Sequence, residues 1–178
     1  ERFLLRKIAR EAIQYGLKQQ TVMPIELHCL PPGVTQKAAS FVTLYLSGGL
    51  RGCIGSLDAH RALAEDIAAN AYAAAFHDHR FEPVTETVVN DLDIHISVLT
   101  PAEQLQCESQ SALIRQLRPG TDGLILEDDT HRATFLPAVW EALPDPERFI
   151  TELKRKAGLP VDYWSNSLRC FRYQTEQF

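Results

Sequence analysis

Leu50-Arg51-Gly52-Cys53-Ile54-Gly55 holds the residue types of this chain best suited to chemistry. A thiol and a guanidinium stand one glycine apart, and a second glycine follows two residues on. On a strand, successive side chains alternate between faces. Arg51 and Cys53 would then share one face with the bare Cα of Gly55, and Gly52 and Ile54 would take the other. A guanidinium on the thiol's own face favours the thiolate, the form that attacks electrophiles and binds metals. Glycines on both sides of a cysteine weaken a strand and mark a bulge or the close approach of another group. The hexapeptide is therefore a candidate cradle for an anion or a nucleophile, built from Arg51, Cys53 and the unobstructed backbone at Gly52 and Gly55. A small buried hydrophobe flanked by packing glycines is the structural reading of the same residues.

Periodicity and punctuation give the elements around this segment. Leu4, Leu5, Ile8, Ala12 and Ile13 recur at helical spacing, and Gly16 marks the stop. Met23–Gln36 reads as a loop punctuated by Pro24, Pro31, Pro32 and Gly33. Phe41–Leu46 and Leu50–Ile54, joined through Ser47-Gly48-Gly49, read as a β-hairpin. Ala62–Phe76 is an alanine-rich helix whose small residues imply close packing. His77–Pro83 is a polar interruption. Leu92–Val98 alternates cleanly and predicts a half-buried antiparallel strand.

Downstream, Ser111–Leu117 is a helix ended by Pro119-Gly120. Leu124–Leu126 and Ala133–Leu136 form a second hairpin. Asp145–Lys156 is a helix with Asp145 as N-cap, Pro146 at its first position and Gly158 as stop. Leu168–Tyr173 is a last strand. Without regular strand-helix alternation, the expected class is α+β with a largely antiparallel sheet. No linker divides the chain, which reads as one domain over residues 1–178.

Bulk composition narrows the function. The chain is 45% hydrophobic and 23% charged, which is globular, and its apolar runs are too short to span a bilayer. The net charge of −5 gives no footprint for nucleic acid. Arg148, Lys154, Arg155 and Lys156 read as a solvated helix face. No Cys-x-x-Cys pair is present, so no metal site is expected. No signal peptide is visible, and reduced thiols in the cytoplasm are the expectation. The chain begins at Glu1 rather than Met, so a trimmed targeting segment stays open.

Several blocks in order carry a resemblance over nearly the whole chain. They are Phe41-Val42-Thr43-Leu44, the hexapeptide, Asp78-x-Arg80-Phe81-x-Pro83 and Ser97-Val98-Leu99-Thr100-Pro101. Gly123-Leu124-Ile125-Leu126, Ala133-Thr134-Phe135-Leu136-Pro137-x-x-Trp140 and Lys156-Ala157-Gly158-Leu159-Pro160 come after them. Together they resemble the AMMECR family, whose bacterial and archaeal members are called AmmeMemoRadiSam system protein A. The resemblance implies an α+β fold, with an antiparallel sheet flanked by helices and a smaller packed subdomain. By name and gene neighbourhood it also implies association with a Memo-like protein and a radical-SAM protein. It implies no particular reaction and no cofactor.

The resemblance adds Asp78 and Arg80 from the loop after the alanine-rich helix. Asp78 could orient Arg80 or act as a general base, and an ion pair that shapes the loop is the structural alternative. His77 and His79 flank Asp78 but lie outside the family pattern. His28, His60, His95 and His131 have nothing to single them out. Cys29, Cys107 and Cys170 lie outside the blocks and read as structural. Trp140 reads as a core aromatic, and Lys156 as a cation at a helix C-terminus.

Two functions fit. In one, Cys53 is a nucleophile or thiolate ligand, Arg51 activates it or binds an anionic substrate, and Asp78 and Arg80 complete the cleft. In the other, the chain is a non-catalytic module that binds a small anion or a protein partner.

Overall fold

A computed structural model describes all of residues 1–178. The helices are α1 (Arg2–Gln19), α2 (Pro32–Thr35), α3 (Leu63–Phe76), α4 (Gln110–Gln116) and α5 (Pro146–Ala157). The strands are β1 (Ser40–Leu46), β2 (Gly49–Gly55), β3 (Leu92–Leu99), β4 (Glu103–Leu105), β5 (Gly123–Glu127), β6 (Arg132–Phe135), β7 (Arg169–Tyr173) and β8 (Thr175–Gln177). They form two four-stranded sheets, ordered β2-β1-β3-β8 and β4-β7-β5-β6. The fold is α+β and its strand pairs are antiparallel. Two compact units result: Glu1–Leu99 with Glu176–Phe178, and Thr100–Thr175.

In the first unit, α3 packs on β1 and β2, and α1 packs on α3. Val42, Leu44, Ile94 and Ile96 point into that layer and are buried with Ile8, Ile13, Ile67 and Ala71. The β1–β2 hairpin turns through Ser47 and Gly48, with φ of 51° and 79°. Two consecutive positive φ values belong to the tight turn whose twist matches the strands, and a glycine takes one of them without strain.

Gly16 does not stop α1, contrary to the sequence expectation. The helix continues to Gln19 and is capped by Gln20, whose N–H bonds the Gly16 carbonyl at 2.9 Å. A Cβ on Gly16 would lie 2.6 Å from the rings of both Tyr72 and Phe76, so this glycine lets α1 approach α3. The loop before β1 holds a 3-10 turn, Leu27–Cys29, and the short α2. Strands β4 and β8, three residues each, are too short for periodicity to reveal.

In the second unit, α5 begins as its residues dictate. The Asp145 carboxylate accepts from Arg148 N–H at 3.0 Å, and Gly158 ends the helix at φ 79°. Phe149, Ile150, Leu153, Lys154 and Ala157 form its buried face. The basic run is therefore not a solvated face throughout. Lys154 is 1% exposed, because it follows Ile150 by four residues on the inward stripe. Its ammonium donates to Gln110 Oε1 at 2.6 Å and to the Val161 carbonyl at 3.1 Å, and burial lowers its pKa. Lys156 donates to the Thr134 carbonyl at 2.9 Å. Trp140 is a core residue, stacked on Phe149 at 3.7 Å with its indole N–H on the Asp122 carbonyl. No helix is long and apolar enough to cross a membrane.

Candidate functional site

The hexapeptide lies on β2, an edge strand, so its outer backbone groups need partners other than a strand. The loop after α3 supplies them. Cys53 N–H donates to Asp78 Oδ2 at 2.9 Å, and Arg80 Nη2 reaches the Cys53 carbonyl at 3.4 Å. Asp78, 7% exposed, also accepts from Arg80 Nε at 2.9 Å, Nη2 at 2.7 Å and the Arg80 N–H at 3.2 Å. The Arg80 side chain, aided by both backbone N–H groups, holds the Asp78 carboxyl well below the usual carboxylate range against the opposing effect of burial. Such a carboxylate is a weak base. Its geometry makes it a clamp on the strand edge.

Arg51 departs from simple alternation. Leu44 pairs with Gly52 and Tyr45 with Leu50, so Arg51 is the extra residue of a β-bulge. The bulge turns it toward the loop, where its guanidinium donates to the Glu82 and Pro83 carbonyls. The guanidinium that meets the Cys53 backbone carbonyl is that of Arg80. Its pKa is raised first by the Asp78 hydrogen bond, with charge on Asp78 and Cys53 adding to it.

The Cys53 side chain is half-buried, and Sγ lies 3.1 Å from Thr43 Oγ1. Thr43 is its register partner on β1. Because Cys53 N–H turns outward to Asp78, the pair is a non-hydrogen-bonded one, in which side chains stand closest. His95 on β3 is the next residue in the same row, with its ring centroid 5.1 Å from that of Tyr45 in an edge-on arrangement and Nε2 2.8 Å from Asp93 Oδ2. Neither Thr43 nor His95 was singled out from sequence. The register that aligns both with Cys53 across three strands is a tertiary fact.

The two glycines have packing partners. A Cβ on Gly52 would come within 2.1 Å of the Ala74 carbonyl oxygen of α3, and one on Gly55 within 2.2 Å of the Phe41 ring. Behind Gly55, Ser56 enters a buried polar cluster that sequence reasoning missed. Asp66 Oδ1 accepts from Ser56 Oγ and Arg61 Nε, each at 2.8 Å. Its Oδ2 accepts from Ser40 N–H at 2.9 Å, Ser40 Oγ at 2.6 Å and Asn70 Nδ2 at 2.9 Å. Asp66 and Asn70, one turn apart on an alanine-rich helix, were the available signal. The cluster fastens the end of the hexapeptide to α3.

Of the predicted residues, Cys53, Asp78 and Arg80 converge directly, and Arg51 joins them through the loop carbonyls. His77 and His79 are exposed, and the His77 ring lies 5.2 Å from that of Tyr72. Cys170 is buried and Cys107 half-buried, and burial pushes both thiols up in pKa. Cys29 is exposed, so packing does not account for it.

The AMMECR1 family profile matches residues 6–178. A protein of Methanothermobacter thermautotrophicus is 37% identical over 178 residues, covering 97% of this chain and 90% of its own. One of Thermococcus onnurineus is 35% identical over 187 residues, covering 99% and 88%. The crystal structure of the uncharacterized protein PH0010 from Pyrococcus horikoshii superposes with a TM-score of 0.88 at 32% identity, covering 98% of this chain and 88% of that one. Matched by the family profile over nearly its whole length, and in fold and length by these relatives, the chain belongs to the AMMECR1 family.

Proposed function

We propose that the chain is an enzyme, or a component of one, whose working group is the Cys53 thiol. It would act with a Memo-like protein and a radical-SAM protein. The placement of Cys53 carries this reading: a half-buried residue whose Sγ lies against Thr43, on a strand whose N–H and carbonyl at that residue are both held by the Asp78–Arg80 pair. A reactive group held on rigid elements by its surroundings is the arrangement chemistry requires. Asp78 positions the strand, Arg80 offers positive charge to a small anionic ligand, Arg51 shapes the loop, and Gly52 and Gly55 let β2 sit close to its neighbours. A free thiol in this role fits a reducing compartment such as the cytoplasm.

The test is the alkylation rate of each thiol in the native, chelator-treated protein at neutral pH, read by mass spectrometry. Exposure alone favours Cys29. Cys53 reacting several-fold faster than Cys29 is the expected result, and a Cys53 slower than Cys29 sinks the reading.

A second reading, a non-catalytic docking module, draws on one observation. Arg51, Asp78 and Arg80 all spend their charge on bonds within the chain, and the contact of Sγ is a hydroxyl, which orients a thiol without taking its proton. In that case Cys53→Ser retains capture of the radical-SAM or Memo-like protein, whereas Arg51→Ala and Arg80→Ala lose it.

A further inference from the structure

The turn Leu27–Cys29 lies outside the site described above. Met23, Ile25, Leu27 and Leu30 pack against the core of the first unit, which leaves Glu26, His28 and Cys29 exposed. Cys29 N–H bonds the Glu26 carbonyl and Leu30 N–H the Leu27 carbonyl, each at 3.1 Å, and Pro31-Pro32 stiffens the chain beyond Leu30. A carboxylate oxygen, an imidazole nitrogen and a thiol sulfur thereby lie within 4.8 Å of one another. Cys29 Sγ stands 3.9 Å from Glu26 Oε2.

We propose that Glu26, His28 and Cys29 form a three-ligand Zn²⁺ site with water in the fourth position. Thiolate, imidazole and carboxylate are the three ligand types zinc takes, and the first two select against magnesium and calcium. Thiolate and carboxylate together neutralise the ion. Zinc–ligand bonds of about 2.0–2.3 Å in a tetrahedron place ligand atoms about 3.3–3.8 Å apart. Exposed side chains reach that spacing by rotating about their own bonds, with the anchored turn unmoved. Cys-x-x-Cys counting does not reveal such a site, because each ligand is a different residue type. The open fourth position is the feature of zinc centres that bind or activate a further group.

The experiment titrates the reduced, chelator-stripped full chain with Co²⁺, a spectroscopic substitute for zinc whose thiolate charge-transfer band reports sulfur ligation, and then adds Zn²⁺ in competition. The band is expected to saturate at one equivalent, to bleach on Zn²⁺ addition, and to vanish in Cys29→Ser. His28→Ala should weaken Zn²⁺ binding by at least about tenfold, the lower end of what even an outer-shell change removes. Cys53→Ser should leave the band in place, which separates this site from the one above. Absence of the band, its persistence in Cys29→Ser, unchanged affinity in His28→Ala, or its loss in Cys53→Ser each overturns the proposal. Circular dichroism confirms that the variants are folded.

Discussion

Cys53 is held through its backbone as well as its side chain, and Asp78 is the residue on which that hold depends. Replacing the carboxylate by an amide in Asp78→Asn leaves the shape and removes the charge that Arg80 and the Cys53 N–H address. The folded carboxyl titrates below the unfolded value of about 3.9, so its stabilisation is present above that pH and is lost as pH falls toward the lower folded value. Asp78→Asn is expected to be less stable than the wild type by about 1–3 kcal/mol at neutral pH. The gap should narrow once the pH drops below about 4. Urea denaturation across that range measures it, and parallel curves for the two proteins would contradict the clamp. At this scale the sequence was a partial guide. Alternation put Arg51 on the face of Cys53, but Arg51 is the extra residue of a bulge and its guanidinium meets the Glu82 and Pro83 carbonyls, and bulges leave no mark in alternation.

Among the elements, β2 depends on α3 at one point. The Ala74 carbonyl occupies the volume a Cβ at Gly52 would need, so Gly52→Ala forces strand and helix apart. Overpacking of this kind costs about 1–3 kcal/mol, and backbone is harder to displace than a flexible side chain. Thermal or urea unfolding should show that loss, with a change in the alkylation rate of Cys53 as the strand shifts. Unchanged stability would mean that the contact is not close. The elements themselves were largely legible. The Asp145-Pro146 start, the Gly158 stop and the hairpin turn at Ser47-Gly48 are local chemistry, written in neighbouring residues. Gly16 and Lys154 were misread for one shared reason. Each faces another element, and what it meets there lies far away in the chain or in the surrounding core.

For the molecule as a whole, the two cores sort the four thiols. Cys29 is exposed and Cys53 half-buried in the first unit, whereas Cys107 and Cys170 belong to the second, where burial raises both thiols and leaves little thiolate at neutral pH. In the native protein Cys29 and Cys53 should react readily with a thiol reagent, Cys107 slowly, and Cys170 only after unfolding. Counting labelled sites before and after denaturant checks this. Labelling of native Cys170 at the rate of Cys29 would show that the second core opens freely.

Periodicity, caps and turn residues established the α+β class and most of the elements, because those features act between near neighbours in the chain, and residue types made Leu50–Gly55 the candidate site. The family blocks pointed to Asp78 and Arg80, which no spacing singles out. The wiring of the site came from tertiary packing alone: Asp78 on the Cys53 N–H, Arg80 on the Cys53 carbonyl, Arg51 on the loop carbonyls, and Thr43 against Sγ. Each of these joins residues on different elements. Register, a bulge and the approach of a helix to an edge strand set them, and none of the three is a property of local sequence.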